Sequence, residues 1–184
     1  MSTHVVLVDE DDQPVGTVEK LQAHTEGRLH RALSVFVFDD AGRLLLQQRS
    51  ADKYHSGGLW SNTCCSHPYP DEPPPAAARR RLREEMGFTC ELSPAFHFTY
   101  RAPVGDGLTE HEYDHIFVGR VSTAAIQPDP AEVADWAWVF PSTLRADLDA
   151  SPDRYTVWFR RLLAPVLAEA PRPASTDVSL DRSP

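Results

Sequence analysis

Short apolar segments separated by turn residues fill most of the chain, and their pattern constrains the fold more than any other feature. β-branched and aromatic residues are concentrated in these segments, which is typical of strands. The predicted strands cover residues 5–8, 15–18, 33–38, 44–48, 96–100, 113–121 and 136–140. The predicted helices cover residues 76–86, 141–148 and 155–167. This order of elements predicts a mixed β-sheet sandwiched between helices, in an α/β or α+β layered domain.

The length of the chain, 184 residues, suits one globular domain, which we expect to span residues 1–169. Residues 170–184 contain Pro, Ser and charged side chains with little to bury, so we expect a disordered tail. No apolar run approaches the roughly 20 residues needed to cross a bilayer. The first residues also lack the pattern of a secretory signal. We therefore expect a cytoplasmic protein with no membrane partner.

Charge and cysteine content narrow the partners further. The formal net charge of −9 argues against a general nucleic-acid binder, although a local basic cluster could still hold a small anion. Three cysteines, two of them adjacent, make a poor disulfide framework and fit reduced thiols better. We expect a monomer or a weak homodimer that binds a small molecule.

Histidines and carboxylates form the first set of candidate functional residues. Glu110 and Glu112 are two apart in an extended segment, so their side chains point the same way while His111 faces away. Three further histidines are predicted in loops or at strand edges: His24, His30 and His67. Three imidazoles and two carboxylates suit an octahedral Mn²⁺ or Mg²⁺ site, with Zn²⁺ as an alternative. Single histidines often lie in loops without a role, so only the whole set supports this prediction.

A long irregular segment, residues 47–75, holds the second candidate, a thiol beside His67. Connections of this length are usually functional in a compact domain. A cysteine near a divalent cation and basic residues can act as an acid or a base. A cysteine is more often a small buried apolar residue, however, and composition does not separate Cys64 from Cys65.

Basic residues form the third set, and they suit phosphate oxygens. They are Lys20, Arg49, Lys53, Arg79, Arg80, Arg81 and Arg83. Arg81 and Glu85 share a helix face, whereas Arg79 and Arg83 read as solvated surface. The paired carboxylates Glu84 and Glu85 suit a hard cation held through phosphate oxygens, or plain surface charge.

Taken together, these residues resemble the type I isopentenyl-diphosphate isomerase family, which has a Nudix-like fold. The resemblance covers residues from about 4 to about 167. Its motifs are GTVEK at 16–20, AHT at 23–25, RLHRA at 28–32, QRS at 48–50 with Lys53, GLWSNTCCSHP at 58–68, and EHE at 110–112. The combination is far more specific than any one motif.

The resemblance implies a role for each matching residue. The metal ligands would be His24, His30, His67, Glu110 and Glu112. Cys65 would be the catalytic thiol and Glu112 a second acid/base, with Tyr100 hydrogen-bonding nearby. The diphosphate of an isoprenoid substrate would be held by Lys20, Arg49, Lys53 and Arg81. Glu85 would bind a second Mg²⁺ that bridges to the diphosphate, and Trp158 would shield a cationic intermediate.

Two other functions compete with this interpretation. The first is a Nudix pyrophosphohydrolase of nucleoside diphosphate derivatives, but Arg80-Arg81 stand where the hydrolase motif has Arg-Glu. Losing that carboxylate favours holding a diphosphate over cleaving it. The second is a non-catalytic module with a structural metal, but such sites usually have four Cys or His ligands in a closed tetrahedron.

Overall fold

Nine strands form one mixed sheet in the computed structural model, which describes residues 3–122 and 124–169. The strands are β1 (His4–Val8), β2 (Pro14–Glu19), β3 (His30–Asp39), β4 (Leu44–Arg49), β5 (Trp60–Ser61), β6 (Cys64–Ser66), β7 (Leu92–Gly105), β8 (Leu108–Val121) and β9 (Val133–Val139). The helices are α1 (Lys20–Glu26), α2 (Pro74–Met86), α3 (Pro141–Ala150) and α4 (Val157–Glu169), with a 3₁₀ turn at Pro152–Arg154.

Strand β3 organises the sheet, because it pairs with four other strands. It runs antiparallel to β1, β4 and β6, and parallel to β8 along its whole length. The parallel register places His30 beside Glu112. On the other edge of β3, Ser34 faces Cys65 and Val35 faces Cys64. Since paired residues point to the same face of a sheet, β3 determines which side chains share the candidate site.

The two faces of the sheet are covered by different helices. Alternate residues of β3 separate into two buried clusters, with Phe36 packed towards α4 and Val35 packed towards α2. Fully burying side chains of this size contributes about 1.5–3 kcal/mol each. The predicted mixed sheet between helices is therefore confirmed.

Three local predictions differ from the structure. His24 does not lie in a loop or at a strand edge, because residues 20–26 form helix α1, which we did not predict. The strands predicted at residues 96–100 and 113–121 are longer than expected, because β7 and β8 continue to a tight turn at Asp106 and Gly107, both with positive φ. The irregular segment 47–75 also contains the short strands β5 and β6, which pair with β4 and β3.

Two sequence predictions concern the ends of the chain and its relation to membranes. None of the helices in residues 3–122 and 124–169 is long and apolar enough to cross a membrane. The expected disordered tail, residues 170–184, lies outside the described residues.

Candidate metal and active site

Five side chains from four elements converge at one end of β3. His24 comes from α1, His30 from β3, His67 from the residue after β6, and Glu110 and Glu112 from β8. One ligand atom of each lies within 4.8 Å of all the others. Side chains alternate between the two faces of β8, so both glutamates point into this cluster, as predicted.

His111 lies on the opposite face of β8, and its Nδ1 is 3.0 Å from the carbonyl oxygen of Gly27. This contact ties β8 to the end of α1. The predicted outward orientation of His111 is confirmed.

Backbone carbonyls orient two of the three imidazoles. His24 Nδ1 is 2.6 Å from the Lys20 carbonyl oxygen, and His30 Nδ1 is 2.8 Å from the Arg28 carbonyl oxygen. A carbonyl only accepts, so each Nδ1 carries the proton and each Nε2 presents a lone pair to the cluster. This arrangement is typical of metal-binding histidines, whose second nitrogen is anchored by the protein.

The carboxylates supply the negative charge that a cation at this point would need. Glu110 and Glu112 are both buried. Glu110 Oε2 lies 3.1 Å from His24 Nε2 and 4.0 Å from His30 Nε2, yet it is buried without a hydrogen bond of acceptable geometry. Converging lone pairs beside an unsatisfied carboxylate oxygen fit a divalent cation.

The two glutamates differ in proton affinity. Burial alone would raise the pKa of Glu110, but the neighbouring imidazoles of His24 and His55 outweigh burial and lower it. Burial raises the pKa of Glu112, and the neighbouring charge of Glu110 raises it further. Burial also lowers the pKa of His30 to about 4, so this imidazole is neutral at physiological pH.

The adjacent cysteines point to opposite faces of the sheet. Cys64 is fully buried in the cluster under α2. Cys65 lines a cavity together with His67, Glu110 and Glu112. Burial raises the pKa of the Cys65 thiol to about 12, opposed by the positive charge of Arg49, whose Nη1 lies 3.6 Å from the sulfur.

Glu112 has a different partner on each oxygen. Its Oε1 lies 3.0 Å from His67 Nε2, while its Oε2 accepts a 2.7 Å hydrogen bond from the hydroxyl of Tyr100. Tyr100 is almost completely buried. One oxygen thus faces the histidines of the five-residue cluster, and the other faces Tyr100 in the aromatic core.

The predicted phosphate-binding cations line the same cavity. They are Lys20, Arg49, Lys53 and Arg81. Arg79 and Arg83, predicted to be solvated, are exposed. Trp158 also lines the cavity, with the Arg49 guanidinium 5.2 Å from its ring centroid. Its indole Nε1 donates to Ser61 Oγ at 3.0 Å, which fixes the ring plane.

Glu85 lies outside the five-residue cluster. Its Oε1 accepts a 2.6 Å hydrogen bond from Arg81, and its Oε2 accepts one of 2.9 Å from Gln47. The predicted pairing of Arg81 with Glu85 on one helix face is confirmed.

Sequence reasoning missed three residues around the site. Glu132 accepts a hydrogen bond from Lys53, and its Oε1 lies 3.3 Å from Arg81 Nη2, so it joins two of the cations. The Tyr54 hydroxyl lies 3.2 Å from His24 Nε2, and His55 Nε2 lies 2.9 Å from Glu110 Oε1. The only available signal was that Tyr54 and His55 follow Lys53 in the irregular segment.

Comparison with known proteins agrees with this geometry. A NUDIX domain model matches residues 28–159, so the chain is of the Nudix class. A crystal structure from Deinococcus radiodurans has the same fold, with a TM-score of 0.74 at 19% identity over 88% of this chain and 98% of that one.

Closer relatives define the family within that class. The chain is 56% identical to an isopentenyl-diphosphate Delta-isomerase of Burkholderia multivorans, over 89% of this chain and 92% of that protein. It is 53% identical to isopentenyl-diphosphate Delta-isomerase 1 of Aromatoleum aromaticum, over 91% and 94% of the two chains. This chain belongs to the isopentenyl-diphosphate Delta-isomerase family, as its motifs predicted.

Proposed function

We propose that this protein converts isopentenyl diphosphate into dimethylallyl diphosphate for isoprenoid biosynthesis. The observation that carries the proposal is one cavity that brings Cys65 and four cations together with His67, Glu110 and Glu112 of the His/Glu cluster. The names of the relatives support the same reaction. Three free cysteines among the described residues support a cytoplasmic location.

The reaction adds one proton and removes another. A proton added to the terminal alkene carbon leaves a tertiary carbocation, and loss of a proton from C2 then forms the new double bond. Cys65 and Glu112 are the proposed acid/base pair, because β6 and β8 hold them on opposite sides of β3. Tyr100 orients Glu112 through the hydrogen bond to Oε2.

The cationic intermediate requires a dry site with an aromatic surface. Trp158 is 3% exposed and lines the cavity. Its π face would stabilise positive charge, and the hydrogen bond to Ser61 would keep that face in place.

The four cations of the cavity would anchor the diphosphate away from the reacting carbons. Lys20, Arg49, Lys53 and Arg81 concentrate positive charge in a chain whose net charge is −9. Binding energy gained there can hold the alkene between the acid and the base. Glu85, already beside Arg81, would hold a second Mg²⁺, which would supply positive charge for the diphosphate.

The five-residue cluster is the proposed site of a divalent cation, Mn²⁺ or Mg²⁺ in preference to Zn²⁺. A bound cation would supply positive charge that offsets the two buried carboxylates and shifts the pKa of groups around it. The residues themselves hold Glu112 by His67 on one side and by Tyr100 on the other.

Proton exchange in deuterated water tests the proposal. Isopentenyl diphosphate is incubated with the enzyme and Mn²⁺ or Mg²⁺, and NMR follows the product and its deuterium content. We expect dimethylallyl diphosphate with deuterium in the methyl group derived from the terminal carbon. Phosphate release from a panel of nucleoside diphosphate derivatives is assayed in parallel. Hydrolysis of that panel without isomerisation would instead support the pyrophosphohydrolase.

A further inference from the structure

His55 is a buried imidazole beside the His/Glu cluster, but it is not one of the five converging residues. It lies in the loop between β4 and β5 and is 6% exposed. It lines the same cavity as Cys65 and Glu110. A buried imidazole in such a position requires a polar partner.

That partner is one particular oxygen of Glu110. His55 Nε2 lies 2.9 Å from Oε1 of Glu110. The other oxygen, Oε2, faces His24 and His30 and has no hydrogen bond. The carboxylate is therefore divided, with one oxygen bonded to His55 and the other left free towards the cluster.

The neighbours of His55 are compatible with the tautomer that this contact requires. Ser56 Oγ lies 3.2 Å from His55 Nδ1, so the hydroxyl can donate there while Nε2–H donates to Glu110. Arg49 Nη2 donates to the His55 carbonyl oxygen at 3.2 Å. The imidazole also packs edge-on against Tyr54 at 4.4 Å and Trp158 at 5.9 Å between ring centroids.

We propose that His55 is a positioning residue that holds Glu110 as a ligand through a single oxygen, Oε2, for the divalent cation. This inference rests on the proposed metal site. Its physical basis is that a hydrogen bond to one carboxylate oxygen restricts rotation of the group and aims the other oxygen. Partners of this kind typically change metal affinity by about 10- to 100-fold when removed.

Metal affinity, measured without substrate, tests the inference. Mn²⁺ binding to the metal-free protein is followed by electron paramagnetic resonance of the free ion. We expect His55→Ala to raise the Kd for Mn²⁺ by about 10- to 100-fold. His55→Gln places an amide N–H near the position of Nε2, so we expect its Kd to stay close to that of the wild type.

A matched control is His97→Ala, because His97 is exposed on β7 and contacts Tyr113 rather than the cluster. Its Kd for Mn²⁺ should equal the wild-type value. If His55→Ala does not fold, His55→Asn replaces it, since the shorter amide ends near the position of Nδ1.

Two results would overturn the inference. One is an unchanged Kd in His55→Ala, or in His55→Asn where that variant replaces it. The other is an equal loss of affinity in His55→Gln, which would show that the N–H donor is not what matters. Failure of the wild type to bind Mn²⁺ would remove the metal site itself. Mn²⁺ binding without isomerisation would remove only the proposed reaction.

Discussion

The adjacent cysteines are a natural test of which thiol reacts, because β6 turns them to opposite faces. We expect Cys65→Ala to lower kcat by at least about 10²- to 10⁴-fold, the usual contribution of a positioned acid or base. Cys64→Ala should retain most activity and lose about 1 kcal/mol of stability, because it leaves a small cavity beneath α2. Steady-state kinetics and thermal unfolding of both variants provide the measurement.

Loss of activity in Cys64→Ala with Cys65→Ala active would reverse the assignment of the two thiols. Similar, small losses in both variants would mean that neither thiol takes part in proton transfer.

Helix α1 positions one of the proposed metal ligands, His24, and the end of this helix depends on Gly27. Gly27 has φ of 62°, and a Cβ there would meet Arg101 Nη2 at 2.9 Å. We expect Gly27→Ala to destabilise the protein by about 1–2 kcal/mol, the cost of a left-handed alanine. It should also weaken Mn²⁺ binding, because His24 lies one turn before the strained residue.

Gly107→Ala is the matched control for this change. Gly107 has φ of 75° in the turn between β7 and β8, and a Cβ there would have nothing within 4 Å. Thermal unfolding should show a comparable loss of stability, whereas the Kd for Mn²⁺ should stay at the wild-type value. Equal Mn²⁺ affinities in the two variants would contradict a role of α1 in holding the ligand.

The same helix illustrates how far the sequence predicts the structure. Most strands could be predicted from the sequence, because their apolar residues reflect local burial. Helix α1 was not, because seven residues are too few to be helical alone and form here by packing His24 and Ala23 inwards. His55 was missed for a related reason, since its partner Glu110 lies far along the chain. The family motifs predicted the five converging residues, but only the β3–β8 register shows why His30 and Glu112 meet.

At the scale of the whole molecule, the proposed metal would link α1, β3, β8 and the residue that follows β6 at one point. A cation that binds only the folded state at 100 times its Kd stabilises that state by about 2.7 kcal/mol. Removal with a chelator should therefore lower Tm, and we expect the effect to depend on pH.

The buried carboxyls determine whether stability rises or falls with pH. Burial raises the pKa of Glu112, and it raises that of Asp114, which accepts a hydrogen bond from Ser34, to about 8. A carboxyl whose pKa is raised by folding stabilises the folded protein fully at pH values below the pKa of that carboxyl in the unfolded chain. This stabilisation is lost as the pH rises through the pKa that the carboxyl has in the folded protein. His30, with its pKa lowered to about 4, contributes stability that is lost only as pH falls below about 6.5.

Between about pH 6.5 and 8.5 the buried carboxyls should therefore dominate the pH dependence of stability. We expect the metal-free protein to lose stability as pH rises, while Mn²⁺ binds more tightly because it no longer competes with a proton on Glu112. The difference in Tm between Mn²⁺-loaded and chelator-treated protein should widen across this range, as followed by calorimetry. Asp114→Asn should make the Tm of the metal-free protein depend less steeply on pH. Part of the widening of the Tm difference should remain in this variant, because that part comes from Glu112. A constant difference in Tm would show that Glu112 holds no proton for the metal to displace.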